Sequence, residues 1–274
     1  MTLAQVTGPD LSLSQLSRFE RGESDLTVAR FLYALHKINV TADEYMDRVH
    51  HYKREEQITL MSRMARLHYK HDIRGLEALV EAEVVKFTED PENKQALLNS
   101  ILFKGMICDL DQSRQMSLSD LATVSDHLFC TENWTIVELI LIGNLIAFYE
   151  TAFICQIIDE VLKRKPFYQE IATHRNLVEA TLLNVMQIMI ERGELSLAKS
   201  YEARLAPMLD NERNAYHRIL YLYFKGFLVY ASGEKAGAEE MKKAIQIFDW
   251  LESPHHAKTY QDHFDRWIGK NSHI

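Results

Sequence analysis

The chain has 274 residues, of which 47% are hydrophobic and 26% charged, and its net charge is −8. An intrinsically disordered chain is excluded, because the apolar fraction is too high for one and the net charge too small. Only 10 glycines and 5 prolines are present, which argues against a turn-rich all-β protein. A chain of this length buries about 75% of its unfolded surface, so one or two domains with a full core are expected.

The three cysteines, Cys108, Cys130 and Cys155, cannot all pair within the chain, and apolar residues surround each of them. We therefore expect buried, reduced thiols in a cytoplasmic protein. No basic stretch followed by an apolar stretch opens the sequence, so no signal peptide is expected. The most apolar segment, 134–162, contains polar residues at nearly helical intervals. It predicts a pair of buried helices and not a membrane span.

The N-terminal part predicts four short helices separated by tight turns. Cap residues, glycines and prolines place them up to residue 7 and over 13–21, 27–35 and 41–48. Residues 1–66 carry nine basic and nine acidic side chains, so the remainder holds the entire charge of −8. A neutral N-terminal part beside an acidic remainder favours contact of the former with a polyanion.

From about residue 55 the expected helices become longer, with apolar positions at i, i+3, i+4 and i+7. Gly193 and Ala198 recur as Gly233 and Ala238, at an offset of 40, and each set opens the second helix of a pair. Residues 71–84 form a looser third copy. A small residue at a fixed place lets two helices approach closely, which is typical of tetratricopeptide-like helical hairpins. An irregular all-α bundle is the alternative.

The segment SLSQLSRFERGES, residues 12–24, is the most specific stretch of the sequence. It predicts a short capped helix with Leu13, Leu16 and Phe19 facing inward. Its serine, glutamine and arginine side chains can reach base edges and phosphates. With the preceding helix and turn it matches a helix-turn-helix. The expected DNA contacts are Ser12, Ser14, Gln15, Ser17, Arg18 and Arg21.

Through the run from Ser14 to Ser24 and the continuation RFLYALHKINVTADEYM over 30–46, the sequence resembles the Rgg family of Gram-positive transcriptional regulators. The resemblance implies an all-α fold. In it, a helix-turn-helix DNA-binding domain over 1–54 precedes a regulatory domain over 55–274, a right-handed superhelical array of tetratricopeptide-like hairpins. It also implies a cytoplasmic homodimer that binds double-stranded promoter DNA and senses a short hydrophobic signalling peptide on the concave face of the repeats.

One departure from the family pattern concerns the start of the DNA-binding domain. The family fold begins with a further helix before the equivalent of Thr2, and the sequence as given does not include it. Either that helix is encoded upstream of this start or the protein is naturally truncated, and weakened DNA binding is expected of the chain without it. The alternative function is therefore a helical-repeat peptide-binding or scaffold protein without useful DNA affinity. For dimer contacts, the aromatic C-terminal helices with Trp250 and Trp267 are the candidates.

Three asparagines, Asn99, Asn144 and Asn184, each lie within an apolar helical run, and buried amides need hydrogen-bond partners. In peptide-binding helical repeats, inward asparagines hold the main chain of the ligand while apolar pockets select its side chains. Asn144 is the strongest candidate, because Ile140 and Phe148 share its helix face. The alternative is a core asparagine satisfied by a neighbouring helix. The expected peptide contacts are Asn99, Ile140, Asn144, Phe148, Asn184, Gln187 and Tyr223.

Signals for catalysis or metal binding are weak. The histidines lack metal-ligand spacing, and the acidic stretch at 109–120 lacks the glycine that a calcium loop requires. No phosphate-binding glycine loop or nucleophile elbow is present in the sequence. We expect no enzyme activity, no metal and no cofactor.

Overall fold

The computed structural model describes residues 2–51, 56–164 and 170–269. Over these ranges the regular structure is helical, and the one extended pairing is an isolated bridge between Gly8 and Leu11. The all-α prediction is confirmed. The chain divides into two compact units, Met1–Lys70 and His71–Ile274. The expected domain boundary between residues 54 and 55 lies outside the described residues.

The first unit consists of short helices that begin at side-chain caps. Ser12, Thr27 and Thr41 each accept a hydrogen bond from the backbone nitrogen three residues further on, which satisfies an amide that the helix itself leaves unpaired. The cap positions predicted from the sequence are therefore correct for these helices. Those three caps open α2 (Leu13–Glu20), α3 (Val28–Lys37) and α4 (Ala42–Val49); the unit also contains α1 (Leu3–Val6) and the longer α5 (Glu56–Tyr69).

A small apolar core holds the first unit together. Phe31 of α3 packs edge-on against Phe19 of α2 and Tyr45 of α4, with ring centroids 6.4 and 4.8 Å apart. Leu13 was expected to face inward, but it is 50% exposed, because the core reaches α2 at Leu16 and not at its first residue. One cluster of buried core residues consists of Val6, Leu11, Leu16 and Ala34.

The second unit is built from longer helices packed as hairpins. Its helices are α6 (Ile73–Glu89), α7 (Lys94–Leu110), α8 (Leu118–Cys130), α9 (Ile136–Leu145), α10 (Thr151–Lys163), α11 (Ala172–Glu191), α12 (Leu195–Leu205), α13 (Ala215–Ala231), α14 (Ala236–Trp250) and α15 (Pro254–Trp267). Successive helices pack against each other in the pairs α6–α7, α11–α12 and α13–α14. The helices α7, α9, α11 and α13 also contact one another in that order.

The repeated glycines end equivalent helices. Gly193 follows α11 and Gly233 follows α13, with φ of 78° and 99°. This left-handed conformation is accessible to glycine without a steric cost from Cβ, and it ends a helix tightly before the next begins. The prediction of a helical-hairpin repeat is confirmed at these two turns.

The small residue that lets the helices approach differs between the two copies. Ala198 is fully buried, as expected, but Ala238 is only partly buried. Its neighbour Gly237 makes the close approach instead, because a Cβ on Gly237 would lie 2.2 Å from the backbone oxygen of Gly226. The backbones of α13 and α14 therefore pack directly on each other.

The apolar segment 134–162 forms α9, a single 3₁₀ turn and most of α10, as predicted. None of the helices within the described ranges combines the length and apolar composition needed to cross a bilayer. The three cysteines are free thiols, and burial raises the pKa of Cys108. Cys130 was expected to be buried but is exposed, because it is the last residue of α8 and extends beyond the packed surface.

Candidate functional site

The outward face of α2 carries the polar residues of the motif. Ser14 and Arg18 are both exposed, and they lie one helical turn apart, so they project from the same side of α2. A hydroxyl and a guanidinium on one face provide one short and one long hydrogen-bonding group. This side of α2 fits the predicted DNA contact.

Two other residues of the motif form the cap of α2. Gln15 Oε1 accepts hydrogen bonds from the backbone nitrogen and hydroxyl of Ser12, at 3.1 and 3.3 Å, and Ser12 Oγ accepts one from the backbone nitrogen of Gln15. This reciprocal capping box fixes the start of α2. Ser12 and Gln15 therefore have a structural role, and the Nε2 group of Gln15 lies outside the box.

Arg21 is held within the first unit by an acidic neighbour. Its Nε and Nη2 donate to the two carboxylate oxygens of Glu23 at 2.6 and 2.9 Å, and its Nη1 donates to Ser17 Oγ at 2.5 Å. The bidentate pair raises the pKa of Arg21 and lowers the pKa of Glu23. Any phosphate approaching Arg21 must compete with this carboxylate.

Asn99 lies inside the α6–α7 hairpin and not on an open surface. It is 3% exposed, its Nδ2 donates to Glu83 Oε2 at 2.8 Å, and its Oδ1 accepts from Gln95 Nε2 at 3.0 Å. Lys86 Nζ lies 2.8 Å from the other carboxylate oxygen of Glu83. The structure thus favours the core alternative for Asn99.

Tyr223, on α13, is also inside the unit. Its side chain is fully buried, and its hydroxyl donates to the backbone oxygen of Tyr260 at 3.0 Å and lies 2.8 Å from His263 Nδ1. Burial raises the pKa of Tyr223 well above its ordinary value. Tyr223 is a packing residue in this arrangement, as the core alternative predicts.

The remaining two asparagines lie on two helices that contact each other, Asn144 on α9 and Asn184 on α11. Asn184 is exposed and donates to the backbone oxygen of Gly143 at 3.1 Å, while Asn144 is half-buried and donates to the backbone oxygen of Ile140 at 2.7 Å. A Cβ on Gly143 would lie 3.1 Å from Thr181 Oγ1, so the missing side chain lets the helices approach here. In both hydrogen bonds the amide nitrogen is the donor, and the Oδ1 atoms take no part in these two bonds.

Apolar and polar residues surround these two amides. Ile140 and Phe148 are half-buried. Gln187 is half-buried one turn after Asn184 on the same face of α11 and donates to Glu191 Oε1 at 2.8 Å. We call Ile140, Asn144, Phe148, Asn184 and Gln187 the ligand face. It includes five of the seven predicted peptide contacts, without Asn99 and Tyr223.

Sequence reasoning missed Arg192, which secures one end of the ligand face. Its Nη2 donates to the backbone oxygens of Ala147 and Tyr149, both at 2.9 Å, and its Nη1 donates to Thr151 Oγ1 at 3.2 Å. It thereby fastens the end of α11 to the turn after α9. Its position directly before Gly193 gave no signal of these long-range partners.

The comparison with known families identifies the second unit. Residues 83–262 match the family model described as the C-terminal domain of the HTH-type transcriptional regulator Rgg. The match covers well over half of the chain. The chain is therefore a helical-repeat transcriptional regulator of the Rgg family.

Solved structures share this fold over nearly the whole chain. The SHP pheromone receptor Rgg2 of Streptococcus dysgalactiae is 24% identical, with 98% of this chain and 95% of that chain covered and a TM-score of 0.78. A putative transcriptional regulator of Listeria monocytogenes EGD-e is 20% identical over 99% and 94%, with a TM-score of 0.81. ComR of S. thermophilus, solved with DNA and its signalling peptide ComS, is 14% identical over 96% and 94%, with a TM-score of 0.60.

Proposed function

We propose that this protein binds promoter DNA through α2 and is controlled by a short hydrophobic peptide held on the ligand face. The observation that carries the proposal is the hydrogen bond from Asn184 of α11 to Gly143 of α9, the residue directly before Asn144, within a domain of the Rgg family. The solved Rgg2 is described as a pheromone receptor, and ComR was solved with DNA and its signalling peptide. These relatives support both the DNA binding and the peptide control that we propose.

The peptide chemistry follows from the side chains of the ligand face. An amide both donates and accepts, so Asn144 and Asn184 match the N–H and C=O groups of a peptide main chain, whatever its side chains. Each such neutral hydrogen bond contributes about 0.5–1.5 kcal/mol. Ile140 and Phe148 offer apolar surface, which adds roughly 25 cal/mol for each Å² buried. The site therefore favours an extended apolar peptide.

The DNA chemistry follows from α2. Inserted in the major groove, it places Arg18 and Ser14 against base edges or phosphates. Two copies of the chain in a cytoplasmic homodimer read two half-sites, and the affinity then depends on the distance between their recognition helices. A peptide that alters the geometry of the dimer changes occupancy of the promoter. The regulator acts through binding alone, without catalysis.

The test is a fluorescence-anisotropy titration with DNA from upstream of the protein's own gene, at two salt concentrations. Replacing Arg18 by alanine should weaken binding and lower the slope of log K against log[salt] by about 1 if the arginine neutralises one phosphate. The matched control is Arg213→Ala, which replaces an exposed arginine of the second unit. It should leave the affinity and the salt slope unchanged. If that DNA is not preferred over random DNA and a genome-wide screen finds no other target, the scaffold alternative is favoured.

A further inference from the structure

A chain of hydrogen bonds leads from the ligand face to α15. Glu191 Oε1 accepts from Gln187 Nε2 at 2.8 Å and lies 3.0 Å from Nε2 of His263, a residue of α15. The other ring nitrogen of His263 lies 2.8 Å from the hydroxyl of Tyr223, which is 3.0 Å from the backbone oxygen of Tyr260. One imidazole therefore joins α11, α13 and α15.

The number of hydrogen atoms on these side chains limits which of the hydrogen bonds can form at the same time. A tyrosine hydroxyl has one hydrogen to donate and a carboxylate only accepts. His263 must therefore carry a proton on Nε2 to bond with Glu191, and Tyr223 donates either to Tyr260 or to Nδ1. All three contacts are hydrogen bonds together only when both ring nitrogens are protonated. With Nδ1 unprotonated, Tyr223 can donate to Nδ1 only by giving up its bond to Tyr260, which links α13 to α15.

The surroundings keep Glu191 in its charged form. Burial acts to raise the pKa of Glu191, but the hydrogen bonds from His263 and Gln187 outweigh burial and lower the pKa. Two charged residues of α15 contribute as well: Arg266 lowers the pKa of Glu191, and Asp265 raises the pKa of Tyr223. The His263 side chain is 9% exposed and that of Glu191 30%. An ionised carboxylate facing a nearly buried imidazole is a strong, directional contact.

The aromatic packing fixes the orientation of the ring. Phe227 of α13 and Trp267 of α15 lie with their ring centroids 5.0 and 6.2 Å from that of His263. A ring packed in this way cannot rotate freely, so its two nitrogens stay directed at Glu191 and Tyr223.

We propose that His263 is a positioning residue for the ligand face: it holds Glu191, and Glu191 fixes the amide of Gln187 beside Asn184. A peptide that draws this amide away from Glu191 loosens the Glu191–His263 contact and so changes the packing of α15. This second step rests on the proposed function, whereas the positioning step concerns the ligand-free protein.

The positioning step is tested by NMR on the full ¹⁵N-labelled chain without ligand. In His263→Leu, the side-chain amide signal of Gln187 should move toward that of a solvated amide, and hydrogen exchange in α15 should become roughly tenfold faster or more. His263→Gln retains a donor and an acceptor and should restore most of the protection. His256→Gln, a histidine of α15 that stacks on Phe248, is the control and should leave the Gln187 signal unchanged.

Rescue by a conservative variant separates positioning from simple packing. His263→Gln should restore the Gln187 signal of the wild type, whereas His263→Leu should not. If His263→Leu folds poorly, His263→Phe, which keeps an aromatic ring and removes both ring nitrogens, provides the same test of the Gln187 signal. Folded variants with an unchanged Gln187 signal, or a Gln187 signal that His263→Gln does not restore, would overturn the proposal.

The coupling step uses an equimolar pool of synthetic octapeptides built from Leu, Ile, Val, Phe and Gly. Binding should shift the side-chain signal of Asn184 together with those of Gln187 and α15. A shift confined to Asn184 refutes the coupling and leaves the proposed function intact. Absence of any shift counts against the proposed function and the coupling, while the ligand-free comparison still decides the positioning.

Discussion

Alanine at Asn99 should lower stability and alanine at Asn184 should lower peptide binding, although the two residues occupy similar sequence settings. At Asn99 the change removes a hydrogen bond to the buried carboxylate of Glu83, about 1.5–3 kcal/mol, and a neutral one from Gln95, about 1 kcal/mol. The better helix propensity of alanine returns about 0.5 kcal/mol. The expected loss of stability is therefore about 2–3.5 kcal/mol, or roughly 4–14 °C in Tm for a unit of this size.

At Asn184 the same change should affect binding and not stability. This exposed side chain makes one neutral bond to Gly143, so the loss of about 1 kcal/mol is partly offset by helix propensity. Thermal unfolding with and without the octapeptide pool measures both effects. The peptide-induced rise in Tm should survive in Asn99→Ala and shrink in Asn184→Ala. An Asn99→Ala protein with wild-type Tm and no response to peptide would refute the reasoning.

Three further outcomes are expected. Gly237→Ala should lower the urea midpoint, since its Cβ would lie 2.2 Å from the backbone oxygen of Gly226 and overpacking costs about 1–3 kcal/mol; an unchanged midpoint would contradict direct backbone packing. Burial acts to raise the pKa of Glu138, but hydrogen bonds from its capping threonine and a histidine outweigh burial, and the pKa is lower than that of an ordinary glutamate. Its contribution is present above the unfolded pKa and lost as pH falls through the folded one, so the stability difference between wild type and Glu138→Gln should shrink below about pH 4.5, as calorimetry can show. Glu23→Gln should release Arg21 and steepen the salt dependence of DNA binding in anisotropy titrations; an unchanged slope would mean that Arg21 makes no phosphate contact.

Local features of the fold were accessible from the sequence, because their causes lie within a few residues. Ser12 and Thr41 each stand three residues before the side chain that completes their capping box, and Gly193 and Gly233 each follow the end of a long apolar run. The bidentate pair of Arg21 with Glu23 is equally local. A reading of neighbouring charges would have found it.

The asparagines show what sequence alone does not decide. Asn99 and Asn184 both interrupt apolar helical runs, yet one is buried and the other exposed. The difference arises from Glu83, which belongs to the other helix of the hairpin and meets Asn99 only after folding. In the same way, His263 is 72 residues from Glu191 in sequence. No periodicity within one helix indicates such partners.

Chromatin immunoprecipitation of the protein in its native host, with and without the small-peptide fraction of spent culture medium, tests the central claim most directly. The account predicts discrete promoter sites whose occupancy changes with the peptide fraction in the wild type. The sites should be lost in a Ser14→Ala, Arg18→Ala double variant, and they should no longer respond in Asn184→Ala. Enrichment no greater than that of the double variant, or occupancy that ignores the peptide fraction, would contradict the account of a peptide-controlled regulator.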